Sequence, residues 1–200
     1  GHKLPRQEVG QIITYLEQGE KSILLTEGRG TGKSWILLEL ADILEQQQWG
    51  VLFIKGDWYE DIDSEQALFK KWNFPDDAVA LAARLASYRK AVIILDSLDV
   101  LSLSKNQLAL RVFLSLLDRF EQAHGVQIVA ACRDFDISYD PLLQEKKWEK
   151  KVAITPFDFD SVISPILQRW GVNPEQLSQE QRDLLVVPEN LKLFKPIVKR

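Results

Sequence analysis

A glycine-rich turn near the start of the chain joins an apolar run to an amphipathic helical pattern. From Ile23 to Trp35 the residues are Ile-Leu-Leu-Thr-Glu-Gly-Arg-Gly-Thr-Gly-Lys-Ser-Trp. A strand, a glycine loop, Gly-Lys-Ser and a helix in this order are the pattern of a phosphate-binding P-loop, which belongs to α/β folds. The glycines let backbone N–H groups converge on phosphate oxygens, and the helix adds the positive end of its dipole. We therefore expect a nucleotide site at this turn.

Each residue type in the loop has a chemical role in such a site. Lys33 would reach the β- and γ-phosphates, and the Ser34 hydroxyl would complete the coordination shell of Mg²⁺. The predicted nucleotide-binding residues of the loop are Gly28, Arg29, Gly30, Thr31, Gly32, Lys33, Ser34 and Trp35.

The loop departs from the usual G-x-x-x-x-G-K-[ST] pattern at its first glycine. Glu27 stands at that position, and Gly28 follows one residue later. A carboxylate beside a polyphosphate repels it unless the side chain points away. Two interpretations follow: a working P-loop for ATP or ADP with Mg²⁺, or a degenerate P-loop that serves as a scaffold without nucleotide.

Composition limits the possible partners. The 200 residues are 46% hydrophobic, enough for one α/β domain with a small appendage, and their formal net charge is −4. This acidic balance argues against a nucleic-acid partner, and we interpret the basic stretches 146–151 and 192–200 as solvated faces. The lone Cys132 excludes an intrachain disulfide. With no stretch long and apolar enough for a membrane span, these features predict a cytoplasmic location and no membrane partner.

The absence of methionine and the first two residues of the sequence predict a fragment. The sequence contains no methionine, and Gly1-His2 resembles the remnant of a cleaved tag. We expect this chain to be an excised part of a longer protein. Its predicted partners are therefore nucleotide and either the flanking domains or further copies of itself.

Alternating patterns predict a parallel sheet covered by helices. Helical periodicity is seen over residues 7–18, 33–48, 76–90 and 105–124. Apolar strand patterns occupy residues 22–26, 51–54, 91–95, 126–131 and 152–154. We predict a five-stranded P-loop core over residues 3–156, followed by a small helical lid or subdomain over residues 157–200.

A second chemical signal ends the third predicted strand. Four apolar residues precede Asp96, as in a Walker B strand. Such a strand delivers its carboxylate to the carboxyl edge of the sheet, where α/β proteins bind ligands. Asp96 could there hold the Mg²⁺ shared with Ser34, usually through water, although it could also be a structural cap.

The residue pattern that follows the third predicted strand resembles that of one family. Asp96-Ser97-Leu98-Asp99 is similar to the apolar-Asp-Gly-Leu-Asp-Glu motif of the STAND class of signal-transduction ATPases, which are NACHT- and AP-ATPase-like relatives of AAA+. Ser97 takes the place of the glycine, and Val100 replaces the final acid. The resemblance implies that Asp99 is the base that activates water. The alternative is that Asp99 only caps a loop.

Two further residues are implied by the same resemblance. The run of residues 127–134 is similar to the family strand that ends in Arg133, at the sensor-one position near the γ-phosphate. A surface ion pair with Asp134 or Asp136 is the alternative for this arginine. Pro188 resembles the proline that packs on adenine in the family, although it could simply begin a helix.

Together these signals predict an ATP/ADP-binding switch domain of a larger STAND-type signalling ATPase. Slow Mg²⁺-dependent ATP hydrolysis would be coupled to oligomerisation. Two alternatives are an AAA+ or RecA-like motor or loader, and the scaffold without nucleotide.

Overall fold

The computed structural model describes residues 6–27, 30–74, 77–102 and 107–198, with side chains described as far as Phe194. The predicted tag remnant lies outside these ranges. The chain divides into two compact units. The first contains the residues up to Glu27 and Lys33–Ala153, and the second contains the residues from Ile154 onward together with loop residues 30–32.

The first unit is built on five parallel strands, which confirms the predicted sheet. Their spatial order is β2-β3-β4-β1-β5. The strands are β1 (Ser22–Thr26), β2 (Gly50–Lys55), β3 (Ala91–Asp96), β4 (Val126–Cys132) and β5 (Lys150–Ala153). Every residue of β1, β3 and β4 is buried, as expected for parallel strands covered on both faces.

Helices cover this sheet. In the first unit they are α1 (Gln7–Glu17), α2 (Lys33–Gln46), α3 (Glu65–Lys71), α4 (Ala78–Ala86), α5 (Leu98–Ser102), α6 (Leu108–Gln122), α7 (Asp134–Tyr139) and α8 (Pro141–Glu145). Alternate strand residues point to opposite faces. Leu24, Ile93 and Ile128 therefore share one face, where they join a buried cluster with Phe113 and Phe120 of α6.

The edge strand β5 and the segment before it differ from the sequence prediction. β5 includes Lys150 and Lys151, because an edge strand paired only with β1 tolerates charged side chains. The side chain of Lys146 is only 6% exposed, and its Nζ lies 2.7 Å from Asp118 Oδ1. The interpretation of this stretch as a solvated face is thus wrong at Lys146.

The second unit has a small core of its own. It contains a single π-helical turn (Phe159–Ile163), α9 (Ser164–Arg169), α10 (Gln179–Leu185) and α11 (Pro188–Val198). Ile163, Leu167, Leu185 and Leu191 are its buried centre. The Arg182 side chain donates hydrogen bonds to two carbonyl oxygens, at 3.1 and 3.3 Å, and lies over a phenylalanine ring.

Gly56, directly after β2, is required by a close backbone contact. A Cβ at this position would lie 2.7 Å from the Ser97 carbonyl oxygen and 3.1 Å from that of Asp96. We expect Gly56→Ala to lower the free energy of unfolding by about 2 kcal/mol, because the end of β3 would have to move. Urea denaturation followed by circular dichroism measures this change.

The matched control is Gly10→Ala in α1. A Cβ at Gly10 meets nothing within 4 Å, and the residue is exposed within a helix. This variant should raise the free energy of unfolding by up to about 1 kcal/mol, since alanine favours the helix. Equal effects at the two glycines would contradict the assignment of Gly56 as a contact position.

Candidate functional site

The carboxyl ends of four parallel strands of the first unit meet at one edge of the sheet. Thr26 at the end of β1 is paired in register with Cys132 at the end of β4. Lys55 at the end of β2 is paired with Asp96 at the end of β3. Ligands of open α/β sheets bind at this edge.

Lys33 is the first residue of α2, directly after the glycine loop. Its Nζ donates a hydrogen bond to the Glu27 carbonyl oxygen at 2.6 Å. Burial lowers the pKa of Lys33, with the carboxylate of Asp99 opposing and the guanidinium of Arg133 adding to that effect. Lys33 therefore lies in the same electrostatic neighbourhood as the two residues that the resemblance singled out.

The loop backbone before Lys33 has the conformation for which glycine is suited. Gly30 and Gly32 have φ values of +78° and +98°, and Thr31 lies between them. Such left-handed positions are costly for residues with a Cβ. Gly28 and Arg29, which were also predicted to bind nucleotide, lie outside the described residues.

Asp96 is the residue of this edge that fits a divalent cation. It is 2% exposed, and its Oδ2 is buried with no hydrogen-bond partner among the described residues. Burial raises its pKa, and a hydrogen bond from Ser34 and the positive charge of Lys55 oppose that rise. A hydroxyl and a carboxylate oxygen are ligands that Mg²⁺ accepts.

No group of three or more His, Cys, Asp or Glu side chains forms a ready-made metal cage within the described ranges. A cation at Ser34 and Asp96 would therefore need further oxygen ligands from water or from phosphate. Mg²⁺ in nucleotide sites is usually bound in this way.

Asp99 and Arg133 form an ion pair with each other. Arg133 Nε lies 2.9 Å from Asp99 Oδ2, and the carboxylate is 5% exposed whereas the arginine side chain is 39% exposed. Burial raises the pKa of Asp99, and Arg133 opposes that rise. Asp134, one of the partners considered for Arg133, instead accepts a hydrogen bond from the Thr26 hydroxyl.

The two remaining predicted residues lie apart in the sequence. Trp35 follows Ser34 on α2 and is 49% exposed. Pro188 belongs to the second unit, where it is the first residue of α11. Proline favours that position because its missing N–H is not needed there. A contact of either residue with nucleotide stays a prediction.

Lys55 and Asp57 were missed from the sequence. Both act on the Asp96 carboxylate, Lys55 lowering and Asp57 raising its pKa, and Lys55 Nζ lies 3.7 Å from Asp57 Oδ2. The available signal was their position at the carboxyl end of a strand of the same parallel sheet, Lys55 as its last residue and Asp57 two residues later.

Ser97 has a left-handed backbone, with φ of +62°. This is the position at which the STAND motif has glycine. We expect Ser97→Gly to raise the free energy of unfolding by about 1 kcal/mol, because glycine adopts this conformation without the cost of a Cβ. Chemical denaturation tests this, and Ser97→Ala is the control that keeps the Cβ and should bring no gain.

In the described part of the chain, no helix combines the length and the apolar character needed to cross a bilayer.

Comparison with known proteins places the first unit in a defined group. The family model described as "ATPase family associated with various cellular activities (AAA)" matches residues 23–156. No curated protein matches the chain at a significant level.

Several solved structures share the fold. AMPPCP-bound DnaA from Aquifex aeolicus is similar with a TM-score of 0.63 and 13% identity, covering 98% of this chain and 63% of its own. The ORC1 protein of Aeropyrum pernix in complex with DNA is similar with a TM-score of 0.58 and 14% identity, and the match covers 99% of this chain and 61% of the ORC1 chain. A Walker-type ATPase of Pyrococcus abyssi is similar with a TM-score of 0.59 and 15% identity, and the match covers 97% of this chain and 68% of the ATPase chain. The chain thus spans less than two thirds of the DnaA and ORC1 chains.

Proposed function

Because the chain belongs to the AAA family of ATPases, we propose that it binds ATP and ADP together with Mg²⁺ at the carboxyl edge of the sheet. Lys33, Ser34 and Asp96 would hold these ligands there. The observation that carries this proposal is the buried Oδ2 of Asp96, which has no hydrogen-bond partner among the described residues and lies beside the Ser34 hydroxyl. The similar DnaA structure is AMPPCP-bound, which supports a nucleotide as the ligand.

Each side chain has a proposed part in binding. Lys33 would exchange its hydrogen bond to Glu27 for one to the β- and γ-phosphates. Ser34 and Asp96 would hold Mg²⁺, whose charge offsets that of the phosphates. Backbone N–H groups of the loop would hold phosphate oxygens, and Trp35 and Pro188 are proposed to lie against the nucleotide.

Hydrolysis needs a base and a cation near the γ-phosphate. We propose Asp99 as the base and Arg133 as the cation that stabilises the negative charge of the transition state. The carboxylate of Asp99 is engaged by Arg133 Nε at 2.9 Å, so it is poorly placed to accept a proton. Slow turnover is therefore expected.

Slow hydrolysis fits a switch of the STAND type better than a motor. The resemblance of Asp96-Ser97-Leu98-Asp99 to the STAND motif supports this subclass, and the left-handed Ser97 stands where that motif has glycine. ATP and ADP would then favour different states of a larger signalling protein, in which flanking domains or self-association provide the output. The free, buried Cys132 favours a cytoplasmic location.

A second candidate is a motor or loader that acts on DNA. The fold similarity to ORC1 in complex with DNA favours this alternative. The net charge of −4 counts against it, because nucleic-acid surfaces are basic.

Two measurements on the 200-residue chain test these proposals. Isothermal titration with ATP and with ADP, each with and without Mg²⁺, should show binding that Mg²⁺ strengthens. If neither nucleotide gives binding heat, the proposed nucleotide site is wrong and the scaffold without nucleotide is favoured. Phosphate release measured with and without single-stranded DNA separates the switch from the motor or loader. A switch should hydrolyse ATP slowly, at a rate that does not change when DNA is added.

A further inference from the structure

The Asp99–Arg133 ion pair joins a buried acid to a cation that reaches outward. Asp99 lies in the first turn of α5, and Arg133 directly follows β4. With 5% of the carboxylate side chain and 39% of the arginine side chain exposed, the acid lies beneath the guanidinium. Among the described residues the ion pair uses Nε, which leaves the two terminal nitrogens as donors at the end of the planar group.

Arg133 also lies next to the start of the glycine loop. Because Thr26 and Cys132 are paired in register, Arg133 and Glu27 both stand one position beyond the ends of neighbouring strands. Lys33 Nζ is held by the carbonyl of Glu27, and its pKa responds to both Asp99 and Arg133. A phosphate bound by Lys33 would therefore lie close to the guanidinium of Arg133.

On the basis of the proposed nucleotide site, we propose that Asp99 is the positioning residue of Arg133. It holds Nε so that the two terminal nitrogens face the γ-phosphate, and this arrangement makes the domain distinguish ATP from ADP. An arginine held by one carboxylate is pre-organised, so less side-chain entropy is lost when it donates to phosphate.

This role does not require Asp99 to take up a proton. It needs an oxygen that accepts a hydrogen bond from Nε, which asparagine supplies and alanine does not. The Asn and Ala variants therefore separate positioning of Arg133 from base catalysis. A base role predicts that both variants lose hydrolysis, whereas the positioning role predicts that only alanine loses the discrimination between nucleotides.

The experiment measures the affinity of AMPPCP and of ADP, both with Mg²⁺, for the wild-type chain, Asp99→Asn and Asp99→Ala. We expect Asp99→Ala to lower the ratio of AMPPCP to ADP affinity by about tenfold, because Arg133 is no longer held toward the γ-phosphate, with ADP affinity nearly unchanged. Asp99→Asn should keep the ratio within about threefold of wild type. Arg133→Ala should lose at least as much of the ratio as Asp99→Ala, because it removes both terminal nitrogens, and the double variant should lose no more than Arg133→Ala alone.

The variant Arg133→Lys tests the same inference while leaving the buried carboxylate of Asp99 in place. Lysine keeps the charge but lacks the planar group that fixes separate donors toward Asp99 and the phosphate, so Arg133→Lys should also lower the ratio of AMPPCP to ADP affinity. A wild-type ratio in Asp99→Ala or in Arg133→Lys would overturn the inference while leaving the nucleotide site intact. Absence of binding to the wild-type chain would instead overturn the proposed function, and this inference with it.

Discussion

Lys33→Ala is expected to weaken ATP binding by about 100-fold or more. The lysine ammonium would donate to two phosphate groups, and charged hydrogen bonds contribute about 1.5–3 kcal/mol each. Lys33 begins α2 directly after the loop, the position from which a P-loop lysine reaches the phosphates. Isothermal titration with ATP and Mg²⁺ measures the loss.

The same substitution should leave the fold intact. The hydrogen bond from Lys33 Nζ to the Glu27 carbonyl is lost, but burial lowers the pKa of Lys33, so its charged form is itself costly in the folded chain. Lys70→Ala, an exposed lysine on α3, is the matched control and should bind ATP like wild type. Equal affinities of Lys33→Ala and wild type would contradict the proposed site.

The sheet and Asp96 were predictable because their signals are local. Unbroken apolar runs such as Ala91–Asp96 fit only strands buried on both faces, and glycine spacing identifies the loop before Lys33. An acid that directly follows such a run must lie at the carboxyl edge. The position of Asp96 therefore follows from the sequence once the strands are parallel.

The partners of the site residues were not predictable, because they depend on three-dimensional neighbours. The sequence offered Asp134 and Asp136 for Arg133, since both are nearby in the chain, whereas the structure pairs it with Asp99 from another strand connection. The short helix α5, which carries Asp99, has only five residues and no helical periodicity to reveal it.

Burial of charged side chains was missed for the same reason. Lys146 belongs to a basic run and was interpreted as solvated, yet it lies between Asp118 and Glu121 of α6. A charge in the sequence indicates exposure only when no opposite charge folds onto it. The influence of Lys55 on Asp96 likewise comes from the register of two strands.

Asp96→Asn is expected to have opposite effects on function and on stability. Nucleotide binding should lose its dependence on Mg²⁺, because the amide replaces the carboxylate that would hold the metal. In the presence of EDTA the variant should be more stable than wild type by about 1–2 kcal/mol at neutral pH, since it removes a buried charge whose Oδ2 has no hydrogen-bond partner among the described residues.

The pH dependence tests the cause of that gain. Burial raises the pKa of Asp96 above that of the unfolded chain, so folding favours the protonated acid, and the ionised form costs stability at higher pH. The advantage of Asp96→Asn in urea denaturation should therefore shrink as the pH is lowered through the folded-state pKa. The exposed carboxylate variant Glu60→Gln is the control and should show no such trend. A variant that keeps Mg²⁺-dependent binding, or that is less stable than wild type at neutral pH, would mean that Asp96 is a structural cap rather than the residue that holds the metal.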